Sequence, residues 1–351
     1  ASAVFGESLV PAYVLAYRNN PNLKWETVTS KEFGFEMATL KNRLNLEVNY
    51  YDKTTEDLLT FVQLGNEKFY VNAGEISNKG FEFAASWKDK ITDDFNYSIS
   101  GNLTTIKNKV NAVYTVGFEV FDGPTRLSAG NPIGAFYGYE VEGVYQSYAD
   151  ILNSPISTLG SYDVGDLKFK DINEDGIIDA NDRKTIGNPT PDISYGFAVN
   201  LNYKNFSLSA DFQGVYGNEI WRDWGNGSTF AQFNYRTDRL NAWNGPGTSN
   251  WEPRLNDASG YNTNNRSTYM IEDGSYLRLR NIQLGYNFNS DFLNKLNIST
   301  LRLYLSAQNI VTWSNSSGFT PENGGSPTKF GVDTGGYPLP AITSLGLNVT
   351  F

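Results

Sequence analysis

The chain has 351 residues with neither cysteine nor histidine, which excludes disulfides, thiolate metal sites and catalysis by an imidazole base. Its net charge of −10 argues against nucleic acid as a partner, because such proteins need a basic surface that neutralises phosphates. It is 40% hydrophobic but has no apolar run long enough for a transmembrane helix, so a soluble all-β protein and a membrane β-barrel both stay open.

Strict alternation of apolar and polar residues is the dominant pattern of the sequence. In residues 43–51, for example, Leu44, Leu46, Val48 and Tyr50 alternate with asparagine and glutamate. A period of two predicts strands that have one apolar and one polar face. The pattern predicts nine strands, over residues 31–41, 43–53, 75–88, 93–106, 192–204, 205–217, 275–289, 299–311 and 341–351.

The lengths of these strands and of their connections favour the membrane class. Each strand has roughly ten to fifteen residues, whereas soluble strands usually have about five or six and a tilted membrane-crossing strand needs about nine to eleven. Short connections alternate with long ones, as in outer-membrane barrels with tight periplasmic turns and large outer loops. The long connections cover residues 54–74, 107–191, 218–274 and 312–340.

The fold class predicted from these features is an all-β, antiparallel transmembrane β-barrel with long extracellular loops. Residues 1–30 are interpreted as a loop that leads into the barrel, and residues 31–351 as its carboxy-terminal part. Nine strands would leave two open edges in lipid, so we expect them to belong to a larger barrel. Residues 134–146 also alternate, and we expect them in the outer loops, paired with residues 166–171.

The sharpest chemical motif lies in residues 171–182. Oxygen-bearing side chains occupy positions 1, 3, 5, 9 and 12, and position 6 is glycine, which is the spacing of a Ca²⁺ loop whose position 7 offers a backbone carbonyl. Asp182 replaces the usual glutamate and would either bind through one oxygen only or force a tighter loop. The alternative is an acidic turn held by side chain to backbone hydrogen bonds. The predicted ligands of a structural Ca²⁺ are Asp171, Asn173, Asp175, Ile177, Asp179 and Asp182.

The connection over residues 218–274 is rich in aromatic residues. Aromatic rings suit the C–H faces of sugars, and neighbouring polar groups suit their hydroxyls. The alternative is that the rings pack the loop's own core or face a protein partner. The predicted contacts with substrate or partner are Trp221, Trp224, Trp243, Trp251 and Tyr235. No catalytic residue is predicted, because paired carboxylates such as Asp93 and Asp94 are typical of solvated turns.

A series of short phrases in order resembles SusC/RagA-type TonB-dependent transporters. The phrases are residues 20–27 (NPNLKWET), 42–59 (NRL to DLL), 72–83 (NAGEISNKGFEF), 132–139 (PIGAFYGY), 143–146 (GVYQ), 165–166 (GD), 187–191 (GNPTP) and 277–281 (LRLRN). The resemblance covers nearly the whole chain. It implies a 22-stranded outer-membrane barrel in a Gram-negative, Bacteroidota-like bacterium.

The same resemblance implies nutrient import. A SusD-like surface lipoprotein would close over the barrel mouth, TonB would act through a plug domain that this chain lacks, and the cargo would be an oligosaccharide or a peptide. Outer-membrane lipid and a homodimer of the complex are further expected partners. Two alternatives stay open: a soluble secreted calcium-dependent glycan-binding β protein, and a passive porin without a lid.

Overall fold

The computed structural model describes residues 2–5, 8–11, 20–64, 67–113, 119–224, 237–255, 260–288, 293 and 297–351. Within these residues the strands are β1 (Ser2–Phe5), β2 (Ser8–Pro11), β3 (Thr27–Thr39), β4 (Leu44–Leu64), β5 (Glu67–Thr92), β6 (Phe95–Thr105), β7 (Lys107–Val113), β8 (Val120–Asp122), β9 (Thr125–Leu127), β10 (Ala135–Gly138), β11 (Val141–Val144), β12 (Ile156–Ser157), β13 (Leu167–Phe169), β14 (Ile177–Ile178), β15 (Lys184–Gly187), β16 (Ile193–Tyr203), β17 (Phe206–Tyr216), β18 (Glu219–Arg222), β19 (Ile271–Asp273), β20 (Tyr276–Phe288), β21 (Thr300–Ser314), β22 (Val332–Asp333) and β23 (Ile342–Thr350). The helices are α1 (Tyr148–Leu152), α2 (Tyr261–Asn264) and three short 3-10 helices, Ala180–Asp182, Thr237–Asn241 and Thr268–Met270. None of these described helices has the length and apolar character needed to cross a bilayer.

The long strands form one antiparallel sheet, which we call the main sheet. Its order is β3-β4-β5-β6-β16-β17-β20-β21-β23, so each long strand pairs with the long strands before and after it in the chain. Strand β7 continues the register of β6 along β5. All nine strands predicted from alternation are present in this sheet.

The prediction that residues 54–74 form a loop is wrong, because most of these residues belong to two paired strands. Strand β4 continues to Leu64 and β5 begins at Glu67, so this connection is an extended hairpin. The register shifts between Thr55 and Leu59, where Asp57 adopts a left-handed φ of 56°. A bulge of this kind adds a residue to one strand and breaks the period of two, which is why alternation alone did not reveal the continuation.

The two faces of the main sheet differ in polarity and in surroundings. Apolar side chains line one face, and many of them are open to the surface, with Phe33 74%, Phe35 59% and Leu284 49% exposed. The opposite face is concave and borders a cavity of about 1080 Å³ that is lined in part by Glu47 and Asn102. No second layer of the described residues covers the apolar face.

The remaining elements form a separate folded unit at one end of the main sheet, which we call the cap. It comprises β8 to β15, β18, β19, β22 and the helices, and it is built from the three long connections 107–191, 218–274 and 312–340. Strand β18 pairs with β19 and with β22, which joins the second and third of these connections. The predicted pairing of residues 134–146 with 166–171 is confirmed by β11 and β13.

The cap has its own hydrophobic core. Long loops are usually exposed, but here residues far apart in sequence pack into one buried cluster. The cluster consists of Phe136, Tyr139, Val141, Val144, Leu167, Phe169, Ile178, Trp221, Tyr261, Tyr269 and Met270.

Candidate functional site

The polar, concave face of the main sheet is one candidate site. The polar residues of this face alternate with the outward apolar residues along each strand, as the period of two requires. Glu36 and Glu47 stand directly opposite each other on β3 and β4, and Asp211 and Arg280 border the same cavity further along the sheet. The face therefore offers charged and amide groups to a polar molecule.

The connection 312–340 is anchored to this polar face. Arg278 of β20 is 4% exposed and forms an ion pair with Glu322 of that connection. Tyr276 donates its hydroxyl to Glu322 at 2.6 Å, and Gln213 donates to the same carboxylate at 3.1 Å. The guanidinium of Arg278 also donates to Thr312 at 2.9 Å. This network holds part of the cap against the inner wall of the sheet, and sequence reasoning missed it because its partners are far apart in the chain.

The predicted aromatic contacts are dispersed over the cap and do not form one site. Trp221 is 2% exposed and belongs to the core. Trp243 donates its indole N–H to Gln146, and Trp224 donates to Asp333 at 2.7 Å and stacks on Phe319. Tyr235 lies outside the described residues.

Trp251 differs from the other predicted aromatics because its side chain is 48% exposed and lines a cavity of about 330 Å³. Arg222, Glu252 and Tyr269 line the same cavity. Burial raises the pKa of Tyr269 to about 12, and its hydroxyl donates to Glu252 at 2.8 Å. An exposed indole beside buried polar groups suits a sugar ring or a peptide side chain, so contact between Trp251 and substrate or partner stays a prediction.

Asp166, in the phrase at residues 165–166, is a buried charge of the cap that accepts several hydrogen bonds. It is fully buried and accepts two hydrogen bonds from Arg254, at 2.8 and 2.9 Å. It also accepts from the side chain of Asn262 at 2.9 Å and from the backbone N–H of Asp163 at 2.8 Å. These bonds join the connection 107–191 to the connection 218–274.

The acidic loop is tightly turned around its own side chains. Asp171 accepts from the backbone N–H groups of Glu174 and Gly176, both at 2.8 Å. Asp175 accepts from the N–H of Ile177, and Gly176 adopts a φ of 85°. Strand β13 precedes the loop.

Asp182 closes this loop from the inside. It is fully buried and accepts from the N–H groups of Ile172 and Asp179, both at 2.8 Å. Because its oxygens already accept these bonds, at most part of its carboxylate is left for a cation. Within the described residues, no three carboxylates converge into a metal-holding group, so a cation would also need Asn173 and the carbonyl of Ile177. Calcium binding stays a prediction.

Calcium binding is tested by an isosteric change. If the loop binds Ca²⁺, the metal should protect the cap of the full-length protein from protease, and Asp175→Asn should weaken that protection about tenfold in calcium concentration, because one ligand charge is lost. Glu174→Asn is the control, since Glu174 occupies no ligand position and its φ of 60° suits asparagine. Equal calcium response of all three proteins, or none in the wild type, would reject the site.

The similarities of this chain to known proteins agree with its fold. Residues 3–310 match the family described as TonB dependent receptor-like, beta-barrel. The chain is 36% identical to TonB-dependent receptor P3 of Formosa agariphila, over 99% of this chain and 36% of that protein. It is 28% identical to TonB-dependent receptor SusC of Bacteroides thetaiotaomicron, over 95% of this chain and 32% of that protein.

Solved structures share the fold over the whole chain. The structure of the RagAB peptide transporter superposes with a TM-score of 0.79 at 23% identity, covering 100% of this chain and 38% of that chain. The RagAB peptide importer in its closed-closed state superposes with a TM-score of 0.78. The chain spans about a third of the length of the curated relatives that it matches.

Proposed function

Since this chain belongs to the TonB-dependent receptor-like β-barrel family, we propose that it forms part of the wall and the outer cap of a SusC-type importer in the outer membrane of a Bacteroidota-like bacterium. The observation that carries the proposal is the bare apolar face of the main sheet, set opposite a concave polar face. In water, such a large apolar surface would be covered or would drive association. In a bilayer it meets hydrocarbon, while the polar face lines a passage.

The open edges of the main sheet support the same placement. Among the described residues, strands β3 and β23 each pair with a long strand on one side only. Within hydrocarbon, unpaired backbone groups are too costly, so a membrane sheet must close into a barrel. We infer that further strands of the complete protein pair with these two edges.

The partners and cargo of the complete importer are part of the proposal. A SusD-like lipoprotein would close over the cap, TonB would act through a plug domain, and the cargo would be an oligosaccharide or a peptide. Similarity to proteins named SusC and RagAB supports these partners. The cavity beside Trp251 offers an exposed ring and hydrogen-bonding groups that suit either cargo.

Cysteine labelling of the full-length protein in isolated outer membranes tests the membrane placement. Leu284→Cys, on the apolar face, should react with a lipid-soluble maleimide and resist a sulfonated one. Tyr148→Cys, on the cap and 68% exposed, should react with both reagents and serves as the control. A soluble glycan-binding protein would instead expose both cysteines to the sulfonated reagent, which would overturn the proposal.

Uptake assays in cells with and without the gene test import. Cells with the gene should accumulate either fluorescent maltoheptaose or a fluorescent tetrapeptide, and cells without it should not. Collapse of the proton-motive force should stop this uptake, because transport through TonB needs energy. Uptake that continues without the force would favour the passive porin, and uptake that is equal in both strains would reject the importer.

A further inference from the structure

At the outer end of the main sheet, charged residues replace apolar ones on the apolar face of the four adjacent strands β3, β4, β5 and β7. Moving outward along β3, the side chains on this face are Phe35, Phe33 and then Lys31, and along β5 they are Phe83, Phe81 and then Lys79. Alternate residues share a face, so each lysine stands on the same surface as the aromatic rings below it. Aromatic rings followed by cations are typical of the boundary between hydrocarbon and headgroups.

The register brings these charges into one row. Lys31 pairs directly with Asp52 of β4, Asp52 with Lys79 of β5, and Lys79 with Lys107 of β7. Lys109 follows two residues later on the same face of β7. Directly opposed residues have Cβ atoms roughly 5 Å apart, so Lys31, Asp52, Lys79 and Lys107 form a row of three ammonium groups and one carboxylate. We call these four residues together with Lys109 the cationic row.

Among the described residues, the lysines of the cationic row form no ion pair within 4 Å, although Asp52 stands between Lys31 and Lys79 in the row. Lys31, Lys79, Lys107 and Lys109 are exposed, and no carboxylate of the described residues lies within ion-pair distance of them. Lys79 and Lys107 are like charges in directly opposed positions, an arrangement that destabilises a sheet. An external anion between them would remove that repulsion.

Among the described residues of the long strands, the lysines on the outward face lie in this sector, where Glu75 of β5 shares the same face. The charged residues of β16, β17, β20, β21 and β23 turn to the polar side. Asp211 and Arg280 line its cavity, Arg278 pairs with Glu322, and Arg302 donates to Ser207 and Gln283. The cationic row is therefore a local feature and not a general property of the sheet's outer rim.

The height of the row along the strands fits the headgroup region. Lys31 lies nine residues from the turn at Leu40, and Lys79 lies fourteen residues from the turn at Asp93, whereas crossing the hydrocarbon takes about nine to eleven residues. Because an unpaired ammonium is costly in hydrocarbon, the row belongs at or just beyond the outer boundary.

We propose that the cationic row binds the phosphate of a phosphorylated glycolipid in the outer leaflet. The acyl chains would lie on Phe33, Tyr50 and Phe81, and the phosphate would bridge Lys79 and Lys107. The proposal rests on the proposed placement in the outer membrane. It adds a specific lipid contact to one sector of the barrel surface.

Titration of the purified full-length protein with lipid A in mixed detergent micelles tests the site. The variant Lys79→Gln/Lys107→Gln should bind phosphorylated lipid A at least about tenfold more weakly than the wild type, because each lysine near an anionic lipid contributes severalfold. The control is Lys53→Gln/Lys88→Gln, which removes two exposed lysines from β4 and β5 on the opposite face. The control should bind as the wild type does.

Two further arms identify the ligand. Lipid A from which the phosphate has been hydrolysed should bind the wild type as weakly as the variant does, and inorganic phosphate at the same concentration should not displace the lipid. Equal binding by variant and wild type, no preference for the phosphorylated lipid, or displacement by inorganic phosphate would each overturn the site. Failure of Leu284→Cys to react as a lipid-facing residue would instead reject the membrane placement.

Discussion

Trp221→Ala is expected to destabilise the cap by about 3–5 kcal/mol, because it removes a fully packed indole and leaves a cavity behind. The Trp221 ring is 2% exposed and lies 6.0 Å, centroid to centroid, from that of Phe136. Its backbone pairs with Ile271 on one side and Val332 on the other. All three long connections therefore meet at this residue.

The measurement is pulse proteolysis of the full-length protein across a urea series, which reports the stability of the cap while the barrel stays folded. Trp251→Ala is the matched control, since the same side chain is removed at a position that is 48% exposed. We expect the control to shift stability by less than about 1 kcal/mol. Equal losses in both variants would show that the cap is not held by this core.

The main sheet could be predicted from the sequence because the alternation of apolar and polar residues that marks each strand involves only neighbouring residues. Each long strand has one face toward an apolar environment and one toward a polar environment, so every second residue carries the signal. Leu284 and Gln283, for example, are neighbours on opposite faces of β20. The hairpin extension of β4 escaped prediction because the bulge near Asp57 moves later residues out of phase.

The cap could not be predicted because its strands are short and its contacts are distant. Strands such as β14 have two residues, too few for any period to show. The bond from the backbone N–H of Leu167 to Asn262 joins residues 95 positions apart. A local pattern carries no information about such pairs, so the loops were identified only as long connections.

The phrases that carried the family resemblance turn out to hold specific contacts. In the first phrase, the backbone N–H and C=O of Lys24 both bond to the side chain of Asn72, at 2.7 and 2.9 Å, and Glu26 accepts from the N–H of Leu59. Gly165 adopts a φ of 90°, and a Cβ there would lie 2.4 Å from the ring of Trp243. The motifs were recognisable in the sequence, but their structural roles depend on contacts with residues far away in the chain.

Contact of the predicted aromatic residues with substrate or partner stays a prediction. Trp251 lines a cavity, whereas Trp221 belongs to the hydrophobic core. Exposure depends on the packing of distant segments, and a sequence of similar aromatic residues does not distinguish the two outcomes. The anchor between Arg278 and Glu322 depends in the same way on a contact across 44 residues.

Asp166→Asn is expected to cost the cap about 3 kcal/mol, near the lower end of the range for breaking a buried ion pair by removing one partner. The Asp166 carboxylate is fully buried, and the change replaces one acceptor oxygen by a donor that faces the guanidinium of Arg254 or the amide of Asn262. The expected cost lies at the lower end of this range because the side chain of Arg254 is 26% exposed. Arg254 also lies 3.5 Å from a second carboxylate, that of Asp163.

Asp163→Asn is the control for this change, because its side chain is 44% exposed and contacts the same arginine. An exposed pair contributes at most about 1 kcal/mol, and the asparagine keeps the oxygen that accepts from the N–H of Val164. Pulse proteolysis should therefore place Asp166→Asn well below Asp163→Asn in stability. If the order is reversed, the two connections are not joined through Asp166, and the cap must depend on its apolar core alone.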